Sequence, residues 1–182
     1  MNAIATTSSP SEVRGAMPAA QHAPATPTPT EMRHFLLVKQ ADLNSTGAPL
    51  TARASALILL DQGIWPLWTN TRCRLQVQAG DQVAIYLAGT GNQVVIAAAT
   101  VANKTPWKAS MLARYPLSLG GAPVMVLHLA NVHRFDRPVP IHQHLPHLSF
   151  VGTNPKKWGV GLMGGMRSVN PGDFKLLTTV DL

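Results

Sequence analysis

Gly80–Val101 reads GDQVAIYLAGTGNQVVIAAATV, two apolar runs on either side of a short polar, glycine-containing centre. Gln82–Ala88 (QVAIYLA) has the length and residue types of a buried strand. Gly89-Thr90-Gly91-Asn92 is a hairpin signal, and Gln93–Val101 (QVVIAAATV) is the return strand. Before the first run, Ala79-Gly80-Asp81 reads as a turn and Arg74–Val77 as a short strand leading into it. A hairpin at mid-chain commits the centre of the fold to antiparallel pairing.

Outward from the hairpin, His34–Lys39 (HFLLVK) and Val124–Val132 (VMVLHLANV) are further apolar runs of strand length. Arg137–Ile141 (RPVPI) is short and extended because of its prolines, and Ser168-Val169-Asn170 adds a last short strand. Arg53–Gln62 (RASALILLDQ) predicts a helix stopped by Gly63, and residues 40–52 before it are loop. Asn170-Pro171-Gly172-Asp173 opens a final helix, with Asn as cap, Pro at the first helical position and Asp in the first turn. One helical turn is expected over His142–Leu148, a looser connection over 103–122, and a glycine-rich loop over Lys156–Met166 (KKWGVGLMGGM). This tally excludes a doubly wound sheet. It favours an α+β domain: a small, mostly antiparallel β-barrel with two or three peripheral helices.

At 182 residues the chain has the length of one domain. With 46% apolar and only 13% charged residues it is not disordered throughout. No apolar run approaches the roughly 18 residues of a membrane span, so no membrane partner is expected. Residues 1–30 differ from the rest: Pro10, Pro18, Pro24, Pro27 and Pro29 stand among Ala, Ser and Thr. Such a stretch buries too little apolar surface to offset its ordering entropy, and it reads as a disordered tail ahead of a single domain at 31–182. Lys plus Arg number 15 against 8 Asp plus Glu, a net +7. Because Glu12 and Arg14 cancel, that charge belongs wholly to the domain. A basic domain with few acids points to an anionic partner, nucleic acid first, or to a solvated surface that is basic without purpose. Cys73 is the only cysteine, and no secretory signal precedes the domain. Both fit a reducing compartment, the cytoplasm.

Four pieces of sequence, in order, resemble the EVE domain, a member of the PUA-like superfamily with the YTH and ASCH domains. They are Gly63-Ile64-Trp65 with Asn70 and Arg72; Gly80-Asp81-Gln82-Val83-Ala84-Ile85-Tyr86 with its hairpin; Val132-His133-Arg134-Phe135 with Arg137-Pro138-Val139-Pro140; and Gly164-Gly165-Met166-Arg167-Ser168-Val169 before an acidic-opened helix. The resemblance spans roughly residues 34–178. Two features depart from the family pattern: the Ala/Leu-rich helix ahead of Trp65 and the histidines after Pro140. The resemblance implies a PUA-like barrel that reads a modified, flipped or unpaired nucleobase in DNA or RNA, without catalysis and without a cofactor.

Such a reader needs aromatic faces to hold an unstacked base and hydrogen-bonding groups for its edge. Trp65 and Trp68, three apart and beside Asn70, are the best group for this, and Asn carries both a donor pair and an acceptor. The same two indoles would also serve as plugs for a barrel end. Trp158, after Lys156 and Lys157 in the glycine-rich segment, is either a second stacking face, a lid, or the anchor of a surface loop. Trp107 beside Lys108 admits the same readings. Arg72, Arg74, Lys156, Lys157 and Arg167 are the candidate phosphate contacts, with Lys108 and Arg114 behind them.

A second reading rests on His142, His144 and His147, with His128 and His133 nearby: in an extended segment an H-x-H pair points one way and can chelate a metal. No Glu follows His144 to complete a cupin-like set, and prolines interrupt the segment. The chain carries no G-x-S-x-G, P-loop or dinucleotide-binding glycine motif. Its two best-placed acids, Asp81 in the turn and Asp173 at the helix start, have structural work there. An enzyme is not expected.

Overall fold

The computed structural model describes residues 31–115, 117–118, 121–152 and 155–179, the side chains at 113, 114, 155 and 156 excepted. The expected tail at 1–30 lies outside these residues. In chain order the elements are β1 (His34–Lys39), β2 (Asp42–Leu43), β3 (Pro49–Leu50), α1 (Ala52–Asp61), β4 (Ile64–Leu67), β5 (Gln82–Leu87), β6 (Val94–Pro106), β7 (Met125–Pro140), β8 (Met166–Val169) and α2 (Pro171–Thr178). Stretches of 3-10 helix occupy Ala109–Arg114, Ile141–Gln143, Leu145–His147 and Pro155–Leu162. One six-stranded sheet runs in the order β4-β7-β6-β5-β1-β8, and β2 and β3 pair separately. Only β1 and β5 are parallel; the other pairs of the large sheet are antiparallel.

The central strands are continuous apolar runs because both faces of the sheet are covered. Phe35, Leu37, Val83, Ile85 and Leu87 join Ala56 and Leu59 of α1 in one core. The alternate residues Leu36, Ala84 and Tyr86 point the other way, into a second core with Ile141, Leu148 and Leu177 of α2. The long β7 serves both: Leu127 and Leu129 belong to the first core, Phe135 and Val139 to the second. Between them Thr100 pairs with Ala130 but Ala98 with His133, so β7 carries an extra residue there, and Asn131 takes φ +51°. Such bulges bend and twist a strand pair. The result is a curled, mostly antiparallel half-barrel with helices at its periphery.

Local chemistry sets the helix ends. The Thr51 hydroxyl accepts from Ala54 N (3.1 Å) at the start of α1. Gly63 stops it at φ +61°, where a Cβ would stand 3.3 Å from the Leu129 carbonyl. At α2 the Asn170 side chain accepts from Asp173 N (2.7 Å), with Pro171 next, the cap the sequence predicts. Among the described residues no helix is long and apolar enough to cross a membrane.

Five expectations change. The loop expected at 40–52 contains the short β2–β3 pair, and the looser connection expected over 103–122 begins as strand, β6 running on to Pro106 against β7. Arg74–Val77 is a turn rather than a strand: Cys73 takes φ +56° and its carbonyl accepts from Gln76 N and Val77 N, which turns the chain back on itself. Arg137–Pro140 is not a separate element, because after the bulge β7 runs on through it to pair with the start of β6. Pro155–Leu162 is 3-10 helix rather than loop; Arg167 Nη1 donates to the Gly161 carbonyl (2.8 Å), and Leu162 is buried.

Candidate functional site

Two loops and a glycine pair meet around one cleft. The chain leaving β1 (Val38 to Asp42) forms one wall of a cleft, and the chain leaving β4 (Trp65 to Thr71) forms another. Gly164 and Gly165 close it and tie the walls together: Val38 N donates to the Gly165 carbonyl and Arg72 N to the Gly164 carbonyl, both at 2.9 Å. Gly164 has φ +102°, and a Cβ there would come within 2.8 Å of Arg72 Cγ, so only glycine permits this approach. The cleft encloses about 430 Å³, within the roughly 300–1,000 Å³ of small-molecule sites.

Trp65, Trp68 and Asn70 all line this cleft. Trp65 is 4% exposed and belongs to the first core, so it can offer the cleft only a ring edge or part of a face. Trp68 is half-buried, and its indole N–H donates to the Gly121 carbonyl (3.0 Å), which fixes the ring. Trp68 N donates to the Thr71 hydroxyl (2.9 Å) and Thr71 N returns to the Trp68 carbonyl (3.0 Å). That closed turn puts Thr69 and Asn70 in solvent at the lip. On the opposite wall Lys39 Nζ and Asp42 Oδ2 form an ion pair at 2.6 Å.

Trp158 lies in an adjoining compartment of about 340 Å³, with Tyr86, Gln93 and Met163. The two spaces share Val38, Gln40 and Leu162. Trp158 meets the Tyr86 ring edge-on, with centroids 6.2 Å apart. Tyr86 is 3% exposed, and burial pushes its phenol up to about 12, so it keeps its proton through the working pH range. Trp107 stands elsewhere, edge-on to Tyr115 at 5.6 Å in an apolar cleft with Leu112 and Leu117. Burial there, and secondarily Asp42, raises the Tyr115 phenol beyond its ordinary range.

The candidate phosphate contacts divide by how they are held. Arg72 and Lys157 are exposed, as is Lys108. Arg74 is half-buried, and its Nε donates to the Thr69 carbonyl (2.9 Å), bracing the lip from behind. Arg167 is also committed inward, bonded to Gly161 and stacked on Phe150 at 4.8 Å. The side chains of Lys156 and Arg114 lie outside the described residues. Lys104, not singled out by the sequence, donates to the Arg74 (3.0 Å) and Val77 (2.6 Å) carbonyls and so fixes the same loop. Burial, then Arg33, holds its ammonium below the usual lysine range.

The histidines do not share an extended face. His142 and His147 sit in separate 3-10 turns with His144 between them, so the H-x-H geometry is absent. His144 and His147 line a groove that also contains Asp173, whose carboxylate accepts from Ser149 N (3.0 Å) and Ser149 Oγ (2.6 Å). His128 meets the Thr105 hydroxyl at 2.9 Å. Among the described residues no group of three or more His, Cys, Asp or Glu is placed to hold a metal ion. Asp81 is buried and takes Arg33 N, Arg33 Nη2 and Gln78 N, which closes the turn into β5.

Gln40, Asp42 and Leu162 of the cleft, and Tyr86 of the adjoining compartment, are not among the site residues the sequence points to, and no local pattern marks Gln40 or Asp42. Gly164-Gly165 opens the segment that resembles the closing motif of EVE domains, but the sequence reading gives the pair no role in the site.

No family model matches the chain, and no curated protein matches it in sequence. Among solved structures, the human THYN1 protein in complex with 5-methylcytosine-containing DNA aligns at TM-score 0.51 and 12% identity, over 79% of this chain and 94% of that one. The N-terminal domain of Staphylothermus marinus McrB gives 0.41 and 10%, over 80% and 93%. Protein Atu2648 from Agrobacterium tumefaciens gives 0.40 and 12%, over 80% and 90%. The first of these likenesses is one of fold, and it agrees with the PUA-like architecture that the sequence resemblance implies.

Proposed function

We propose that this EVE-type, PUA-like domain binds nucleic acid and holds one flipped or unpaired, modified base in the Trp65–Trp68–Asn70 cleft, without catalysis. The observation that carries the reading is the lip itself. An indole fixed through its own N–H leaves its ring for stacking, and the turn beside it holds an exposed amide suited to a base edge. The THYN1 protein, of the same fold, was solved with 5-methylcytosine-containing DNA, which supports a base as the occupant. The net +7 of the domain supplies the attraction for phosphates.

The test is a titration of single-stranded pentadeoxynucleotides, and the matching RNA pentamers, centred in turn on each standard base and its common methylated forms. A reader gives one preferred centre, salt-dependent affinity, and loss of the preference in Trp68→Ala. Equal affinity for every centre, and for an added abasic control, would reduce the domain to a backbone binder.

A further inference from the structure

The sequence groups Trp158 with Trp65, Trp68 and Asn70, but the structure separates them by a wall of side chains. Val38, Gln40 and Leu162 face both compartments, so the two spaces are side by side and one side chain apart. The second compartment has what a planar heterocycle needs: the half-buried Trp158 ring braced edge-on by Tyr86, and the amides of Gln40 and Gln93. Amides offer donors and acceptors alike, so this space suits a base of any identity. Consecutive bases of a strand are joined through one phosphodiester, a link short enough to pass over a wall one side chain thick. Lys157, exposed and next to Trp158, is the nearby cation for it.

Resting on the base-reading proposal above, we infer that the site takes two consecutive nucleotides. The read base enters the Trp68 cleft, and its neighbour stacks on Trp158 in the adjoining compartment. The second contact contributes affinity with little selectivity, since every base has a ring face.

The experiment uses the full chain and the pentadeoxynucleotide whose centre binds best, compared with three variants. One is abasic at the centre, one at its 5′ neighbour, one at its 3′ neighbour. The expected result is that the abasic centre abolishes selective binding and one neighbour, not both, costs about tenfold, the scale of a single stacked base. In Trp158→Leu, which keeps apolar bulk against Tyr86, that tenfold penalty disappears, while Trp158→Phe restores most of it. Thermal melts of both variants confirm that the fold persists. A centre whose base does not matter would sink the base-reading proposal, and this inference with it. An essential centre with neighbours that make no difference, or a neighbour penalty unchanged in Trp158→Leu, would overturn the two-nucleotide site alone.

Discussion

Trp65 and Trp68 stand three residues apart, yet they belong to regions held by different means. Trp65 lies in β4, opposite Leu127 of β7, and is 4% exposed within a core shared with α1. Trp68 lies just past the strand, half-exposed, kept in place by its own indole N–H, the Thr71 hydroxyl and the Gly164 carbonyl that receives Arg72 N. The strand is stabilised by burial, and the loop by a handful of specific hydrogen bonds. Burial hides a side chain, whereas the hydrogen-bonded turn presents one. A surface that must meet a ligand therefore follows directly on a segment that must not.

The sharpest way to break this comparison is to truncate both indoles. Trp65→Ala is expected to destabilise the domain by about 3–5 kcal/mol, as for other large core aromatics, and, because Trp65 lends the cleft only a ring edge or part of a face, to cost the folded fraction less binding than Trp68→Ala does. Trp68→Ala is expected to lose about 1–3 kcal/mol of binding, the worth of one stacked base, with a smaller change in the melt. Melts and titrations on the same two proteins decide it. Equal losses of stability would mean that Trp68 is a second plug and the loop is simply core.

The same contrast explains what could be read from the sequence. β1, β5, β6 and the first half of β7 are legible because apolar runs bounded by turn residues report burial on both sheet faces. The glycine stop of α1 and the cap of α2 are legible because Gly63 and Asn170 act within a few residues of themselves, whereas Thr51, the cap of α1, falls in a stretch that reads as loop. The cleft is only half legible. Trp65, Trp68 and Asn70 are close in sequence and come together, but their opposite wall is supplied by Gln40 and Asp42, which carry no local signature. Trp158 is separated from Trp68 by Val38, Gln40 and Leu162, a partition made by segments distant in sequence. Arg74–Val77 misleads because its turn rests on Lys104, some 30 residues away, and on a left-handed Cys73.

The glycine pair that ties the two walls gives a finer test of how the loop is held. Gly164→Ala is expected to cost about 1–2 kcal/mol from the left-handed backbone alone, and more from the clash with the Arg72 side chain. Gly165→Ala carries the backbone strain at φ +76°, but its nearest neighbour is Thr71 at 3.7 Å. The first substitution should therefore be the worse of the two by chemical denaturation and should also weaken binding by displacing Arg72. Equal effects would mean that the close approach of Gly164 to Arg72 is not maintained in solution.

The smallest effect expected separates the exposed cations from the anchored ones. Lys157 is exposed beside Trp158, so Lys157→Ala should leave stability within about 0.5 kcal/mol. If it meets a phosphate, the log–log salt slope for a single-stranded ligand should flatten by about 0.7, with base preference unchanged. Arg167 carries the same charge but spends it on the Gly161 carbonyl and the Phe150 ring. Arg167→Ala should leave the slope alone and instead loosen the Pro155–Leu162 helix, lowering stability by about 1.5–3 kcal/mol as a lost charged hydrogen bond does. Titrations at three or more salt concentrations, with a melt for each variant, distinguish the two. A flattened slope in Arg167→Ala with no loss of stability would show that the anchored arginine leaves its place to meet the strand. A Lys157→Ala slope identical to the parent's would remove this lysine from the phosphate path.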